Sequence, residues 1–280
     1  MKPFVYTGLA LIAFAGNSVL CRLALGAGQI DAASFTWIRL LSGIIVLAFI
    51  LIGTRSQTTS SDGGSWCGAA ALFVYALTFS YAYITLDTGV GALVLFGSVQ
   101  LTMILAGFLR GHRPIVLEWF GLGLAFSGLI YLVSPELSTP SLMGFVLMVV
   151  SGIAWAIYTL VGAGSSNPLR ATSFNFFRTT PFAVLILVLT ITSAELSTNG
   201  VLLAVASGGV ASALGYTLWY QALRSLTAIQ AGVVQLLVPV IAAFGGVVFV
   251  GEAIAWPLVV ASSLVLGGVC MVLLAKKKTV

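Results

Sequence analysis

The sequence predicts an all-α integral membrane protein: ten transmembrane helices arranged as two inverted five-helix repeats. Three observations carry this expectation. Of the 280 residues, 60% are hydrophobic and only 7% are charged, against roughly a quarter charged in soluble domains. The apolar residues fall into ten runs long enough to cross a bilayer. A constant shift of 139 residues then brings the two halves into register without gaps. A mean hydropathy of +1.13 and 31 glycines suit helices that approach one another closely in lipid.

The runs can be taken in order. The first, 4–25, follows Met-Lys-Pro; it is too long for the apolar core of a signal peptide, and no small-residue cleavage site follows it. Asp31 precedes the second, 32–53, and the loop TRSQTTSSDGGS (54–65) separates it from the third, 66–86. Asp87 then leads into the fourth, 88–109, which RGHRP divides from the fifth, 115–133. Beyond Glu136 come the sixth, 141–163, the seventh, 170–193, which starts at Arg170, and, past Glu195, the eighth, 198–223. Arg224 precedes the ninth, 226–250, and Gly251-Glu252 the tenth, 254–275. None of these runs alternates with the period of two that a membrane β-barrel needs.

Charge sets the expected orientation. With the N-terminus inside, Lys2, Arg55, Arg110, Arg113, Arg170, Arg224 and Lys276, Lys277 and Lys278 all fall on the inner side. Asp31, Asp87, Glu136, Glu195 and Glu252 fall outside, with no basic residue among them. That asymmetry predicts cytoplasmic termini, in a bacterial host at the inner membrane. The net charge of +5 is scattered, so it serves topology and does not form the basic patch that a nucleic-acid partner requires. Cys21, Cys67 and Cys270 form no CxxC pair and are read as small apolar residues, not as disulfide or metal partners. The connections leave no room for a soluble catalytic domain, so function is expected inside the membrane.

The 139-residue shift aligns Phe35 and Arg39 (FTWIR) with Phe174 and Arg178 (FNFFR). It also pairs Thr78 with Thr217, Tyr81 with Tyr220, Ala92 with Ala231 and Gly128 with Gly267. The expected halves are residues 1–137 and 138–280. Each holds five spans, an odd number, so the second enters the membrane upside down. Inverted repeats of this kind are a transporter architecture with the substrate near the midplane.

These residues resemble the drug/metabolite transporter superfamily, in particular its EamA-type branch. FTWIRLLSG lies in the second span, and residues 219–256, WYQALRSLTAIQAGVVQLLVPVIAAFGGVVFVGEAIAW, match that family's pattern. They give an aromatic-Ala-Leu end to the eighth helix, Pro239 in mid-helix, and Gly251-Glu252 closing the ninth. The resemblance implies a ten-helix small-molecule transporter, similar to bacterial exporters of aromatic and other neutral amino acids. Family members often carry a glutamate at both repeat-equivalent sites. Here Arg113 stands opposite Glu252, which implies a change in helix capping or orientation.

Ionisable groups inside spans are functional candidates by default. The acids all lie at helix ends or loops, while Arg22, Arg39 and Arg178 lie within spans. Arg22, near the outer end of the first span, can reach the interface and anchor it. Arg39 and Arg178 are repeat equivalents. They are either a structural pair bonded to helix ends or acidic loop residues, or they act in gating or in holding an anionic group. Pro239 removes a mid-span backbone bond and permits a bend. His112, between Arg110 and Arg113, is not placed for catalysis. No catalytic residues, metal or cofactor are expected.

The candidate substrate-binding residues are mid-span polar and aromatic side chains: Asn17; Tyr75 and Phe79; Phe96 and Gln100; Trp155 and Tyr158; Tyr216 and Trp219; and Gln235, four before Pro239. An uncharged, aromatic-rich lining suits a neutral or zwitterionic ligand with an apolar side chain. Packing between helices would use the same residue types. The expected function is export of small neutral metabolites, amino acids foremost, by alternating access and without proton coupling. Proton-coupled multidrug efflux, sugar-phosphate exchange and a non-transporting membrane scaffold are the alternatives.

Overall fold

Polar caps, more than intrinsic propensity, set where these apolar helices begin. The computed structural model describes residues 2–54, 63–109, 111, 115–132, 141–162, 165–223, 226 and 234–275. The expectations for Arg55, Arg110, His112, Arg113, Glu136, Arg224 and the run from Lys276 to Lys278 lie outside the described residues. Helix α1 (Lys2–Cys21) runs on as a π-helical turn, Arg22–Gly26. Asp31 caps α2 (Ala32–Gly53), its carboxylate accepting from the Ser34 amide at 2.8 Å. Ser65 does the same for α3 (Trp66–Ala82). Helix α4 (Thr88–Leu109) takes its cap from far along the chain, as described below. Glu118 in the first turn of α5 (Val116–Leu132) reaches back to the Ile115 amide at 2.9 Å, half of a capping box.

The second half follows the same rules with more irregularity. After α6 (Leu142–Gly162), Asn167 caps α7 (Pro168–Arg178), which gives way to α8 (Thr180–Thr190). Ser197 caps α9 (Thr198–Val205), which passes through a π-helical segment, Ala206–Leu214, into α10 (Gly215–Leu223). Helix α11 (Leu237–Gly245) ends in a π turn, Gly246–Val250, and α12 (Trp256–Ala275) closes the fold. Six apolar helical runs have membrane-crossing length: Phe4–Gly26, Ala32–Gly53, Thr88–Leu109, Leu142–Gly162, Leu169–Ser193 and Thr198–Trp219. Four more, Trp66–Ala82, Val116–Tyr131, Leu237–Val250 and Trp256–Val272, are shorter. The fold is all-helical; among the described residues the one β contact is an isolated bridge between Ile30 and Leu196.

Three expected spans come out differently, each for a local reason. The third, 66–86, is helical only to Ala82, because the carbonyls of Tyr83 and Ile84 turn to the Arg22 guanidinium. The seventh, 170–193, breaks at Thr179. Pro181 cannot donate to the Phe177 carbonyl and its ring crowds it. The hydroxyls of Thr179 and Thr180 take the carbonyls of Phe176 and Phe177 instead, both at 2.6 Å. The eighth, 198–223, is helical throughout but π-wound in its middle, a feature that tends to mark functional stretches.

Lipid gives no hydrophobic drive between helices, so close contact and hydrogen bonds hold the bundle. Helix α5 crosses α12 where Gly121 meets Gly268; a Cβ on Gly121 would lie 2.6 Å from the Gly268 carbonyl oxygen. Helix α3 packs on α6, and α10 with its π segment packs on α1. Helix α2 lies against the same π segment and against α7 and α8, while α4 lies against α6 and α11. Hydroxyls within the spans mostly bond the carbonyl four residues back, as Thr36, Ser80, Thr102 and Thr217 do. Away from the two ends of the bundle, the side chains that bond across helices gather mainly in one place.

Candidate functional site

That place is the centre of the bundle. Asn17 on α1 accepts from Ser207 of the π segment at 2.5 Å and donates to the Tyr75 hydroxyl of α3 at 3.4 Å. Arg39 on α2 donates to the same hydroxyl at 3.1 Å and to Ser212 at 3.4 Å. Cys21 lies 4.0 Å from Ser207. Four helices are therefore tied by one polar chain, each interhelical bond worth about 0.6 kcal/mol on average. Ser151 of α6 donates to the Tyr75 backbone carbonyl at 3.1 Å, which seats α3 on α6.

Beside this chain lies a closed cavity of about 20 Å³ lined by Phe14, Asn17, Tyr75, Phe79, Leu95, Phe96, Trp155 and Tyr216. It has space for about one water molecule. Trp155 is its hub, with ring centres 4.8 Å from Tyr75, 4.9 Å from Tyr216, 5.4 Å from Tyr158 and 6.4 Å from Phe14. Of the ten residues expected to bind substrate, Asn17, Tyr75, Phe79, Phe96, Trp155 and Tyr216 line this one cavity. Tyr158 and Trp219 stand directly behind it, Tyr158 donating to the Thr172 hydroxyl at 3.4 Å and Trp219 edge-on to Phe14. Gln100 is buried and Gln235 half-buried, and neither lines the cavity. Pro239 is buried in α11. Phe14 and Leu95 are additions; Phe14 lies one helical turn before Asn17, a spacing that could have identified it.

The arginines part company. Arg39 is 2% exposed, at a position where a charge costs about 2.5–3.5 kcal/mol to insert. Its guanidinium stacks over the rings of Tyr75 and Phe79, at 5.2 and 5.0 Å. Its Nη1 has no hydrogen-bond partner. Arg178 is half-buried, donates to the Gly63 carbonyl and lies over the Trp66 ring at 5.9 Å. The equivalence expected of them from the 139-residue shift does not extend to their surroundings, because the same shift places Leu214 and Leu218 opposite Tyr75 and Phe79.

Arg22 is more than an interfacial anchor. Its guanidinium bonds Glu252 at 3.1 Å, Asp87 at 3.1 Å, and the two carbonyls after α3. Glu252 also accepts from the Thr88 amide at 3.0 and 2.9 Å, which supplies the cap of α4. This latch ties α1, the turn before α4 and the residues after the π turn of α11 at one end of the bundle. Asp87 is largely exposed, so its pair adds little; Glu252 is the member whose loss matters. In a Cys67→Ser, Cys270→Ser background, Glu252→Ala is expected to speed labelling of buried Cys21 by a polar maleimide in detergent. An unchanged rate would show that the latch does not hold that end closed.

A larger hollow lies elsewhere: a groove of about 600 Å³ between α4, α5 and α6, walled by Leu101, Leu105, Phe126, Ile130, Phe145 and Ile153. Ile130 on its rim is 67% exposed, so the groove opens on the outer surface, where acyl chains would fill it. Its few polar groups do not converge, unlike those of the central cavity.

An all-helical bundle with membrane-crossing apolar helices and its polar groups drawn inward to a closed central cavity defines an integral membrane protein built to handle a small molecule. Residues 142–274 match the model of the EamA-like transporter family. The chain is 49% identical over 272 residues to an uncharacterized protein of Pseudomonas aeruginosa, covering 97% of this chain and 94% of that one. It is 24% identical to an uncharacterized transporter of Archaeoglobus fulgidus, over 86% and 87% of the two chains. A second such transporter of the same organism is 25% identical, over 83% and 84%. A solved crystal structure shares the fold with a TM-score of 0.64 at 18% identity, covering 96% of this chain and 98% of its own. The protein belongs to the EamA-like transporter family, of the drug/metabolite transporter superfamily: it is a membrane transporter of small molecules.

Proposed function

We propose that the protein exports small neutral or zwitterionic metabolites, amino acids with aromatic or aliphatic side chains foremost, by alternating access around the central cavity. The observation that carries this reading is the cavity itself. Aromatic rings form most of its wall, one amide and two phenols supply its polar groups, and among the described residues no carboxylate lines it. Helices of both expected halves supply the wall: Phe14, Asn17, Tyr75, Phe79, Leu95 and Phe96 from residues 1–137, Trp155 and Tyr216 from 138–280.

The packing supports a ten-span, inverted-repeat arrangement. If spans one to five correspond to six to ten, α3 on α6 is the counterpart of α10 and its π segment on α1. The pairs α2 with α7 and α8, α4 with α11, and α5 with α12 are each a span against its own equivalent. A pseudo-two-fold axis through the last three pairs relates the halves. Polar contacts also group as the expected orientation requires. Arg22, Asp87 and Glu252 meet at one end, with Asp31 accepting from the Glu195 amide at 3.0 Å. Ser65, Asn175, Gly63 and Arg178 meet at the other. The first end would face out, with both termini cytoplasmic at a bacterial inner membrane. The latch and the closed cavity then correspond to an occluded stage of the cycle.

Transport of this kind needs no proton carrier, and among the described residues neither an acid nor a histidine lines the cavity. In proteoliposomes, substrate is expected to equilibrate at the same rate and to the same level with or without an imposed proton gradient. Uphill accumulation driven by that gradient would instead favour proton-coupled drug efflux.

A further inference from the structure

We propose that Arg39 is the anchor for a carboxylate of the transported molecule. The inference rests on the reading of the central cavity as the substrate site and goes one step further, to the charge the ligand must bring. Arg39 is buried and carries one nitrogen, Nη1, with no partner. Both ion pairs among the described residues belong to Arg22, so no carboxylate among them balances Arg39. A permanently charged guanidinium in that setting lacks an anion.

Its position says where the anion would come from. Arg39 stands directly behind the cavity wall, stacked on Tyr75 and Phe79 and bonded to the Tyr75 hydroxyl, which is shared with Asn17. Tyr75, Phe79 and Asn17 all line the cavity. When the halves rock and the Tyr75 ring turns aside, the open edge of the guanidinium faces the ligand. A carboxylate fits that planar fork through two parallel hydrogen bonds. The ligand's apolar body would lie on Trp155 and Phe14. Arg178 is the internal contrast: the same residue at the equivalent position is engaged by the Gly63 carbonyl and the Trp66 ring. It serves structure.

The test compares ligands before it compares variants. Full-length protein in nanodiscs is titrated with phenylalanine, phenylalaninamide, phenethylamine, 3-phenylpropionate and an aryl phosphate ester. Wild type is expected to bind the carboxylates about tenfold or more tightly than the amide and the amine, the scale of one lost charge-assisted bond. Arg39→Met should flatten that ratio, and Arg39→Lys should keep part of it. Should Arg39→Met not fold, the wild-type ligand series and Arg39→Lys still decide. Equal binding of acid and amide by wild type overturns the anchor, as does an intact ratio in Arg39→Met or the absence of binding by every carboxylate. Binding of 3-phenylpropionate but not phenylalanine keeps the anchor and sinks the amino-acid reading. Preference for the phosphate ester overturns the carboxylate assignment in favour of a phosphorylated ligand.

Discussion

Gly208→Val is expected to be the most damaging single substitution in the bundle. Gly208 lies in the π segment where it crosses α2, and any Cβ there would collide with the Arg39 carbonyl oxygen and Ser42 Oγ. The hydroxyl could rotate, but the carbonyl belongs to the α2 backbone and cannot. The helices must separate, which also stretches the bonds from Ser207 to Asn17 and from Arg39 to Ser212. Overpacking that can relax costs about 1–3 kcal/mol, and an obstacle of backbone pushes toward or beyond the upper figure. The melting temperature in detergent should fall by about 5–10 °C, or folded protein should not be recovered. Gly209→Ala is the control, since its nearest obstacle is the movable Val46 side chain at 3.1 Å. If Gly208→Val melts with wild type and Gly209→Ala, the close crossing of α2 is wrong.

The second large effect concerns recognition. Trp155→Ala removes the ring that touches Phe14, Tyr75, Tyr158 and Tyr216. A large apolar side chain of the ligand loses buried area and a ring contact worth about 0.5–1.5 kcal/mol. A small side chain loses little of either. In competition against one labelled substrate, Trp155→Ala should weaken phenylalanine and tryptophan by about three- to tenfold more than alanine. Equal losses for large and small ligands would make Trp155 bundle packing and would empty the aromatic-pocket reading.

Much of the fold was legible because lipid leaves a chain few choices. Each run had to satisfy its own backbone, so apolar length alone placed the helices. Asp31 and Ser65 marked two starts within a residue. The failures have local causes. Pro181 was visible within the seventh run, yet only the hydroxyls of Thr179 and Thr180, which take the freed carbonyls, explain why the helix is interrupted at Thr179. The π winding of 206–214 left only a trace, the serines at 207 and 212, five residues apart.

The site was partly legible. Mid-span position and aromatic or amide character brought together Asn17, Tyr75, Phe79, Phe96, Trp155 and Tyr216. Character could not say which side of a helix faces inward, so Gln100 and Gln235 look equally suitable in sequence. The latch of Arg22 with Glu252 had no sequence signal, because it joins residues 230 positions apart. Arg39 and Arg178 show the limit of the 139-residue shift: the two arginines it aligns have different environments, and it places Leu214 and Leu218 opposite Tyr75 and Phe79.

Counterflow tests transport of zwitterions through the central cavity most directly. Proteoliposomes loaded with unlabelled phenylalanine and placed in a trace of labelled phenylalanine, with no ion gradient, should accumulate label transiently. Leucine and tryptophan should reduce that peak, whereas sugar phosphates and nucleosides should leave it unchanged. Empty liposomes should show none. The account is contradicted if labelled amino acids never exceed the empty-liposome level while a sugar phosphate or nucleoside exchanges, or if no solute in the panel moves at all.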